Sequence, residues 1–282
     1  MAAGTYRFVI VDVFTDEPLA GNQLAVFTDA RELPEKLLQP LAKEFGFPET
    51  TFVYPPKAGG HVHMRIFTPA RELPFAGHPT LGTAFVLAGP LQLAEITLET
   101  GAGLIPVRLE REGARITFGW MTQPVPSVEP FDESERLLAA LGVRASQLPV
   151  ELYDNGNRFV YVALENEDAV AVVEPDAKAL KQLDFLGANC FTGEGLRWKT
   201  RMFAPGGGVL EDAATGSAAG PLACHVARHG RAPFGEEIEI SQGAEIGRPS
   251  TLYARLEGTP ARIERVDVGG SAVIVARGEF RL

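Results

Sequence analysis

One glutamate, Glu49, stands between Phe47-Pro48 and the apolar run Thr51-Phe52-Val53-Tyr54. A carboxyl group placed there can take a proton from a carbon and return it, provided burial brings its pKa toward working pH; a solvated turn glutamate is the plainer account. His78 lies in Gly77-His78-Pro79-Thr80 at the head of an uncharged run, where Pro79 suits the first helical position and Gly77 permits a close turn. The helix dipole disfavours an imidazolium at such an end, so a neutral ring that both accepts and donates a proton is expected there, or simply a helix cap. Asp212 precedes a second helix entry, Thr215-Gly216-Ser217-Ala218-Ala219. It reads either as a site acid or as an ordinary loop carboxylate. Thr215 and Ser217 are both able to cap that helix, and Ser217 can also donate to a substrate. A nucleophilic role for Ser217 has little support, because the first glycine of G-x-S-x-G is missing.

These side chains need rigid elements under them, and most of the sequence reads as strand. Phe8-Val9-Ile10-Val11-Asp12-Val13-Phe14, Leu24-Ala25-Val26-Phe27, Thr51-Phe52-Val53-Tyr54 and His61-Val62-His63-Met64-Arg65-Ile66-Phe67 are β-branched or aromatic runs bounded by Gly, Pro and Asp. Helical spacing appears over 34–45, through Leu37, Leu38, Leu41 and Phe45, and in the nearly uncharged runs 77–88 and 215–228. The last two read as central helices wrapped by sheet.

A repeat organises the chain. Arg65-Ile66-Phe67-Thr68-Pro69 returns as Arg201-Met202-Phe203-Ala204-Pro205, and each copy leads through a loop into one of the uncharged helices. Upstream, Arg7-Phe8-Val9-Ile10-Val11 pairs with Arg158-Phe159-Val160-Tyr161-Val162, and the helix near Lys43 with one near Lys181. Glu49 falls opposite Gly187-Ala188, so a single carboxylate breaks the symmetry. The expectation is an α+β protein of two similar domains related by a pseudo-twofold axis, each a curved, mostly antiparallel sheet or barrel around a central helix. Their spans are 1–124 and 125–271, with a final strand at 272–282 returning to the first. The linker is the Pro-rich Gln123-Pro124-Val125-Pro126-Ser127. Two such halves facing one another would aim both helix entries into one cleft. Their unpaired N–H groups would hold a small carboxylate without an arginine, each end contributing about 0.3–1 kcal/mol.

Composition removes several function classes. With 26 Lys+Arg against 36 Asp+Glu the net charge is -10, so no general attraction draws in nucleic acid or anionic lipid. Two cysteines, Cys190 and Cys224, leave no disulfide framework and no thiolate-rich metal site, and fit a reducing cytoplasm. No segment reads as a signal peptide or a membrane span. Gly206-Gly207-Gly208 lacks the Lys-Ser/Thr of a P-loop, and Gly101-Ala102-Gly103 opens a strand-like run where a dinucleotide fingerprint needs a helix. His61 and His63 share a strand face but lack a third ligand, which favours a surface hairpin. Asn155-Gly156 reads as a type I′ hairpin turn with no chemistry attached.

Several ordered blocks together resemble the phenazine-biosynthesis, PhzF-like isomerase family, whose fold is that of diaminopimelate epimerase. They are Val11-Asp12-Val13-Phe14-Thr15 with Gly21-Asn22, Glu49-Thr50-Thr51-Phe52-Val53, Arg65 to Pro69 with Gly77-His78-Pro79-Thr80-Leu81-Gly82-Thr83-Ala84, and Phe203-Ala204-Pro205 with Glu211-Asp212-Ala213-Ala214-Thr215-Gly216-Ser217-Ala218-Ala219-Gly220. The resemblance spans essentially the whole chain. It implies a homodimer without cofactor or metal, acting on a small carboxylate. Glu49 would be the acid/base, with His78 and Asp212 helping to move the proton. Asn22, Gly77, Thr215, Gly216 and Ser217 would bind the substrate. Paired cysteines, which serve the amino-acid epimerases of this fold, are absent from both helix entries, where His78 and Ser217 stand. The expected activity is cofactor-independent isomerisation by proton shift. A non-catalytic carboxylate-binding protein and, behind it, a serine hydrolase or lyase are the alternatives.

Overall fold

An uncharged helix of small and apolar residues has no face to give to water, so the sheet must close around it. A computed structural model describes residues 4–282 and shows this arrangement twice. The chain forms two units, one running to Thr122 and taking back Gly269–Leu282, the other Gln123–Val268.

The first unit runs β1 (Thr5–Val13), β2 (Asn22–Phe27), α1 (Glu35–Phe45), β3 (Glu49–Tyr54), β4 (Val62–Phe67), β5 (Glu72–Leu73), α2 (Gly77–Leu91), β6 (Glu95–Thr100), β7 (Gly103–Glu112) and β8 (Arg115–Gln123). Helix α1 is amphipathic and buries Leu38, Leu41 and Ala42; Gly46 ends it at φ 64, a left-handed conformation that glycine adopts without a Cβ penalty. Helix α2 is buried along almost its whole length and packs on β1, β2, β3, β6 and β7. Its close approach to β1 and β2 depends on Gly82, where a Cβ would lie 2.7 Å from Val13 Cγ2 and 2.8 Å from Leu24 Cδ2. Strands β2 and β3 are parallel, β3 and β4 antiparallel, β4 and β6 parallel, and β6 and β7 antiparallel.

The second unit runs β9 (Ser127–Pro130), α3 (Ser134–Leu141), β10 (Glu151–Asp154), β11 (Arg158–Ala163), α4 (Glu167–Ala171), α5 (Ala177–Leu180), β12 (Gly187–Glu194), β13 (Arg197–Ala204), β14 (Val209–Asp212), α6 (Gly216–Arg228), β15 (Glu237–Gln242), β16 (Ser250–Thr259) and β17 (Arg262–Gly270). The last strand, β18 (Ala272–Arg281), pairs antiparallel with β1 of the first unit over its whole length. In the second unit β11 and β12 are parallel, β12 and β13 antiparallel, β13 and β15 parallel, β15 and β16 antiparallel. The connectivity of the first unit is therefore repeated strand for strand. The α+β class and the sheet around a central helix are as expected.

The repeated arginine does the same work in both units. Arg65 pairs with Glu72 on β5 and lies over the Phe67 ring at 5.1 Å; Arg201 pairs with Glu211 on β14 and lies over Phe203 at 4.8 Å. Each ties the fourth-strand segment to the short strand that leads into the central helix.

Three local expectations are corrected. Arg158 to Val162 lies on β11, whose parallel partner β12 makes it the counterpart of β2 and not of β1, which carries Arg7 to Val11. Apolar alternation alone cannot distinguish neighbouring strands. Between β10 and β11 the loop has three residues, with Asp154 opposite Arg158 and positive φ at Gly156 but not at Asn155, so it is not a type I′ turn. In the region matched to Lys43, two short helices replace one, and Lys181 is the C-cap of α5.

Candidate active site

Glu49 opens β3 because Gly46 stops α1 three residues earlier and Pro48 forbids a longer helix. Its side chain is 14% exposed, and Oε2 lies 3.4 Å from His78 Nε2. His78 is the second residue of α2 and is 2% exposed. Across the ring, Nδ1 is 3.1 Å from Asn22 Nδ2, at the start of β2. An amide N–H donated to Nδ1 leaves the ring proton on Nε2, which lies near Glu49 Oε2 without a hydrogen bond between the two; this tautomer follows from the bonding pattern. Asn22, Glu49, Gly77 and His78 thus gather at the head of α2. The Thr51 and Thr83 hydroxyls, 2.9 Å apart and buried, fasten the strand of Glu49 to the helix of His78.

Burial pushes the His78 imidazole down to about 3, only partly opposed by the Gln23 backbone. The helix N-terminus acts in the same direction. A neutral imidazole beside a carboxyl group can pass a proton either way. The first-turn N–H groups of Gly77 and His78 fall outside the helical ladder, and Pro79 has none.

In the second unit the matching entry is built differently. Asp212 ends β14 at 8% exposure and accepts the Thr215 hydroxyl at 2.6 Å. Gln242 donates to the Asp212 carbonyl and to Thr215 Oγ1, and accepts from the Thr215 N–H. Gln123 Nε2, Asn155 Nδ2 and the Tyr161 hydroxyl donate to the carbonyls of Gly216, Ser217 and Ala218, each at 2.8 Å. The first turn of α6 is held from outside through its own carbonyls, which leaves the Gly216 and Ser217 N–H groups outside the ladder. Ser217 is buried, and among the described residues its hydroxyl meets no histidine or carboxylate that would activate it. Neither helix has a side-chain N-cap bond, so Thr215 spends its hydroxyl on Asp212.

Register explains why only one unit carries the carboxylate. Leu24 pairs with Glu49 and Phe159 with Gly187; Thr50 pairs with Phe67 and Ala188 with Phe203. Gly187 therefore stands where Glu49 stands. A Cβ there would lie 2.6 Å from Met202 Sδ and 3.3 Å from the Phe203 carbonyl oxygen, so a side chain at that position requires Met202 to move.

The chain belongs to the phenazine biosynthesis-like (PhzC-PhzF) family. Its family model matches residues 11–278. The chain is 48% identical over 277 residues to a trans-2,3-dihydro-3-hydroxyanthranilate isomerase of Pseudomonas aeruginosa, covering 98% of this chain and 100% of the relative. Among solved structures it is similar to a predicted epimerase from Pseudomonas aeruginosa, with TM-score 0.84, 29% identity and coverage of 98% and 99%. A PhzF-family protein from Bacillus anthracis gives TM-score 0.83 at 27% identity, with the same coverage. This kinship supports an enzyme of isomerase type.

The residues that sequence reasoning missed in this PhzF-like chain are Gln123, Gln242 and Tyr161, and Asn155, which it assigned to a turn. All bond to main-chain atoms across the unit, a role without a local sequence signature. The other candidates have structural employment. His61 Nδ1 accepts the Thr97 N–H, and Glu99, 4.0 Å from His63, is filled by the N–H groups of Lys57, Ala58 and Gly60. Cys190 and Cys224 are buried free thiols pushed up to about 12, which removes them as nucleophiles near neutrality. No helix among the described residues is long and apolar enough to cross a membrane.

Proposed function

We propose that this chain isomerises a small unsaturated cyclic carboxylate of the trans-2,3-dihydro-3-hydroxyanthranilate type by moving one proton, with Glu49 as the acid/base. The observation that carries the reading is the buried line Asn22, His78, Glu49, with 3.1 Å and 3.4 Å between successive polar atoms. In such a substrate the C–H beside the hydroxyl is conjugated through the ring diene to the carboxylate. Glu49 removes that proton, the negative charge spreads into the diene and carboxylate, and the same carboxyl returns the proton to another ring carbon. No oxidant or hydride is needed, since atoms and electrons balance within the substrate. His78, neutral and held by Asn22, stabilises the charge on Glu49 as it changes. Asp212 helps to move the proton, and Thr215, Gly216 and Ser217 bind the substrate, with the first-turn N–H groups of Gly77, Gly216 and Ser217 as donors to the carboxylate. The same reading has a cytoplasmic homodimer that uses neither cofactor nor metal for the reaction.

The test is turnover of trans-2,3-dihydro-3-hydroxyanthranilate in D₂O followed by NMR. The wild type is expected to rearrange the double bonds, and Glu49→Gln to lose about 10²–10⁴-fold in rate while keeping its circular dichroism spectrum. Full proton exchange in Glu49→Gln excludes Glu49 as the base. Thermal stabilisation by the substrate without any exchange in the wild type identifies a binding protein in place of an enzyme.

A further inference from the structure

Far along α6 from its first turn lies a second cluster, one that the proposed reaction does not use. His225 and His229 are four residues apart, so they share one face at the C-terminal end of the helix. Both reach the same oxygen of Glu151, the first residue of β10: His225 Nδ1 at 3.1 Å and His229 Nε2 at 3.0 Å from Oε2. One donor atom from each of the three lies within 4.8 Å of the others, and the two rings are 4.7 Å apart.

We propose that Glu151, His225 and His229 form a binding site for a divalent transition-metal ion, Zn²⁺ being the best match. Two imidazoles and one carboxylate are a donor set suited to zinc, with solvent completing the coordination. Bonds of about 2.0–2.2 Å at tetrahedral angles separate neighbouring donors by roughly 3.3 Å. The two N–O separations of 3.0 and 3.1 Å need to open by only a few tenths of an ångström, while the two imidazole nitrogens, within 4.8 Å of one another, draw together as the exposed His229 ring turns.

Hydrogen bonding alone leaves this cluster over-subscribed. The Tyr153 hydroxyl at 3.0 Å and Arg228 Nη1 at 3.2 Å also point at Glu151 Oε2, so four groups converge on one oxygen. A carboxylate oxygen offers about two lone-pair directions. An ion accepting the lone pairs of both imidazoles turns those rings from claimants on the oxygen into ligands beside it. Tyr153 and Arg228 then remain as the hydrogen-bond donors to the carboxylate and orient it, the usual outer support of a ligand. Arg228 brings a competing positive charge, which sets a moderate affinity. The buried ring of His225 is fixed by stacking on Tyr161 and by edge contacts with Tyr153 and Phe191, whereas His229 is 22% exposed and gives the ion its way in. The bound ion would clip β10 to the end of the helix that carries Gly216 and Ser217.

The probe is Co²⁺ added to the metal-stripped full chain, read by visible absorption, with Zn²⁺ as competitor. The wild type is expected to bind one Co²⁺ with the strong d–d bands of a low-coordinate site, and Zn²⁺ to abolish them. His229→Ala, a change at a partly exposed helix end, should weaken binding at least tenfold. His229→Cys should restore it and add a near-ultraviolet sulfur-to-cobalt charge-transfer band, which a misfolded chain would not give. The double variant His61→Ala, His63→Ala should bind as the wild type does. Absence of the bands in the wild type, or bands that survive His229→Ala unchanged, overturns the site.

Discussion

At the residue scale the decisive property is that His78 is buried in its neutral form. Its folded pKa, about 3, lies below the ordinary value of 6.5. Above 6.5 the ring is neutral in both folded and unfolded chains and contributes no pH dependence. As pH falls below 6.5 the unfolded chain takes up a proton that the folded one refuses, so stability declines down to about pH 3, by at most about 1.4 kcal/mol per pH unit. Between pH 7 and pH 5 the wild type should therefore lose up to about 2 kcal/mol more than His78→Asn in urea unfolding. Equal losses in the two proteins would contradict a neutral buried ring. Glu49 and His78 are singled out in the sequence through the ordered blocks that resemble the family, since a glutamate after Phe-Pro reads locally as a solvated turn and a histidine after Gly as a helix cap. Gln242 and Asn155 are not, because what they hold lies 27 to 62 residues away and consists mostly of main-chain atoms.

At the element scale, two helices without charge until the last residue of the second, Arg228, each entered from a short strand tied down by an arginine, were legible because a run that repels water on nearly every side can only be central. Their strand partners were less legible. Arg7 to Val11 matches Arg158 to Val162 in composition, yet parallel pairing assigns β11 to the role of β2. Short helices such as α4 and α5 escape because five and four residues are too few to display a period. Central helices set in this way tolerate little extra volume. Gly82→Ala places a methyl 2.7–2.8 Å from Val13 and Leu24. Overpacking costs about 1–3 kcal/mol, against a gain of up to about 1 kcal/mol in helix propensity. The variant should unfold at lower urea concentration by about 1–2 kcal/mol, and its activity should fall because His78 rides on the same helix. A midpoint equal to or above that of the wild type would mean that α2 can move off β1 and β2 at no cost.

At the scale of the whole molecule, chain order and folding order differ. The second unit is continuous in sequence, whereas the first is incomplete until its C-terminal strand arrives. Strand β18 covers β1 along its length, from Thr5 opposite Arg281 to Val13 opposite Ala272. It also brings Phe280 into the aromatic group of Phe8, Phe27 and Phe45, with ring centroids 5.4–6.1 Å apart. Without it, β1 becomes an open edge and the cluster loses one wall, a loss of apolar burial and main-chain bonding that a unit of this size does not absorb. Closing the contact between β1 and β18 means ordering a loop of nearly the entire chain, so it comes late even though β1 is made first. Ending the chain after Ser271 should therefore leave the second unit folded and the first unprotected. In hydrogen exchange, peptides from β10 to β16 should keep wild-type protection, while those from β1 to β7 exchange at close to unfolded rates and isomerase activity disappears. Adding a synthetic peptide of residues 272–282 should restore protection first in β1 and β2. Full protection of β1 to β7 in the truncated chain would show that the first unit closes on its own, and β18 would then be a cover and not a structural strand.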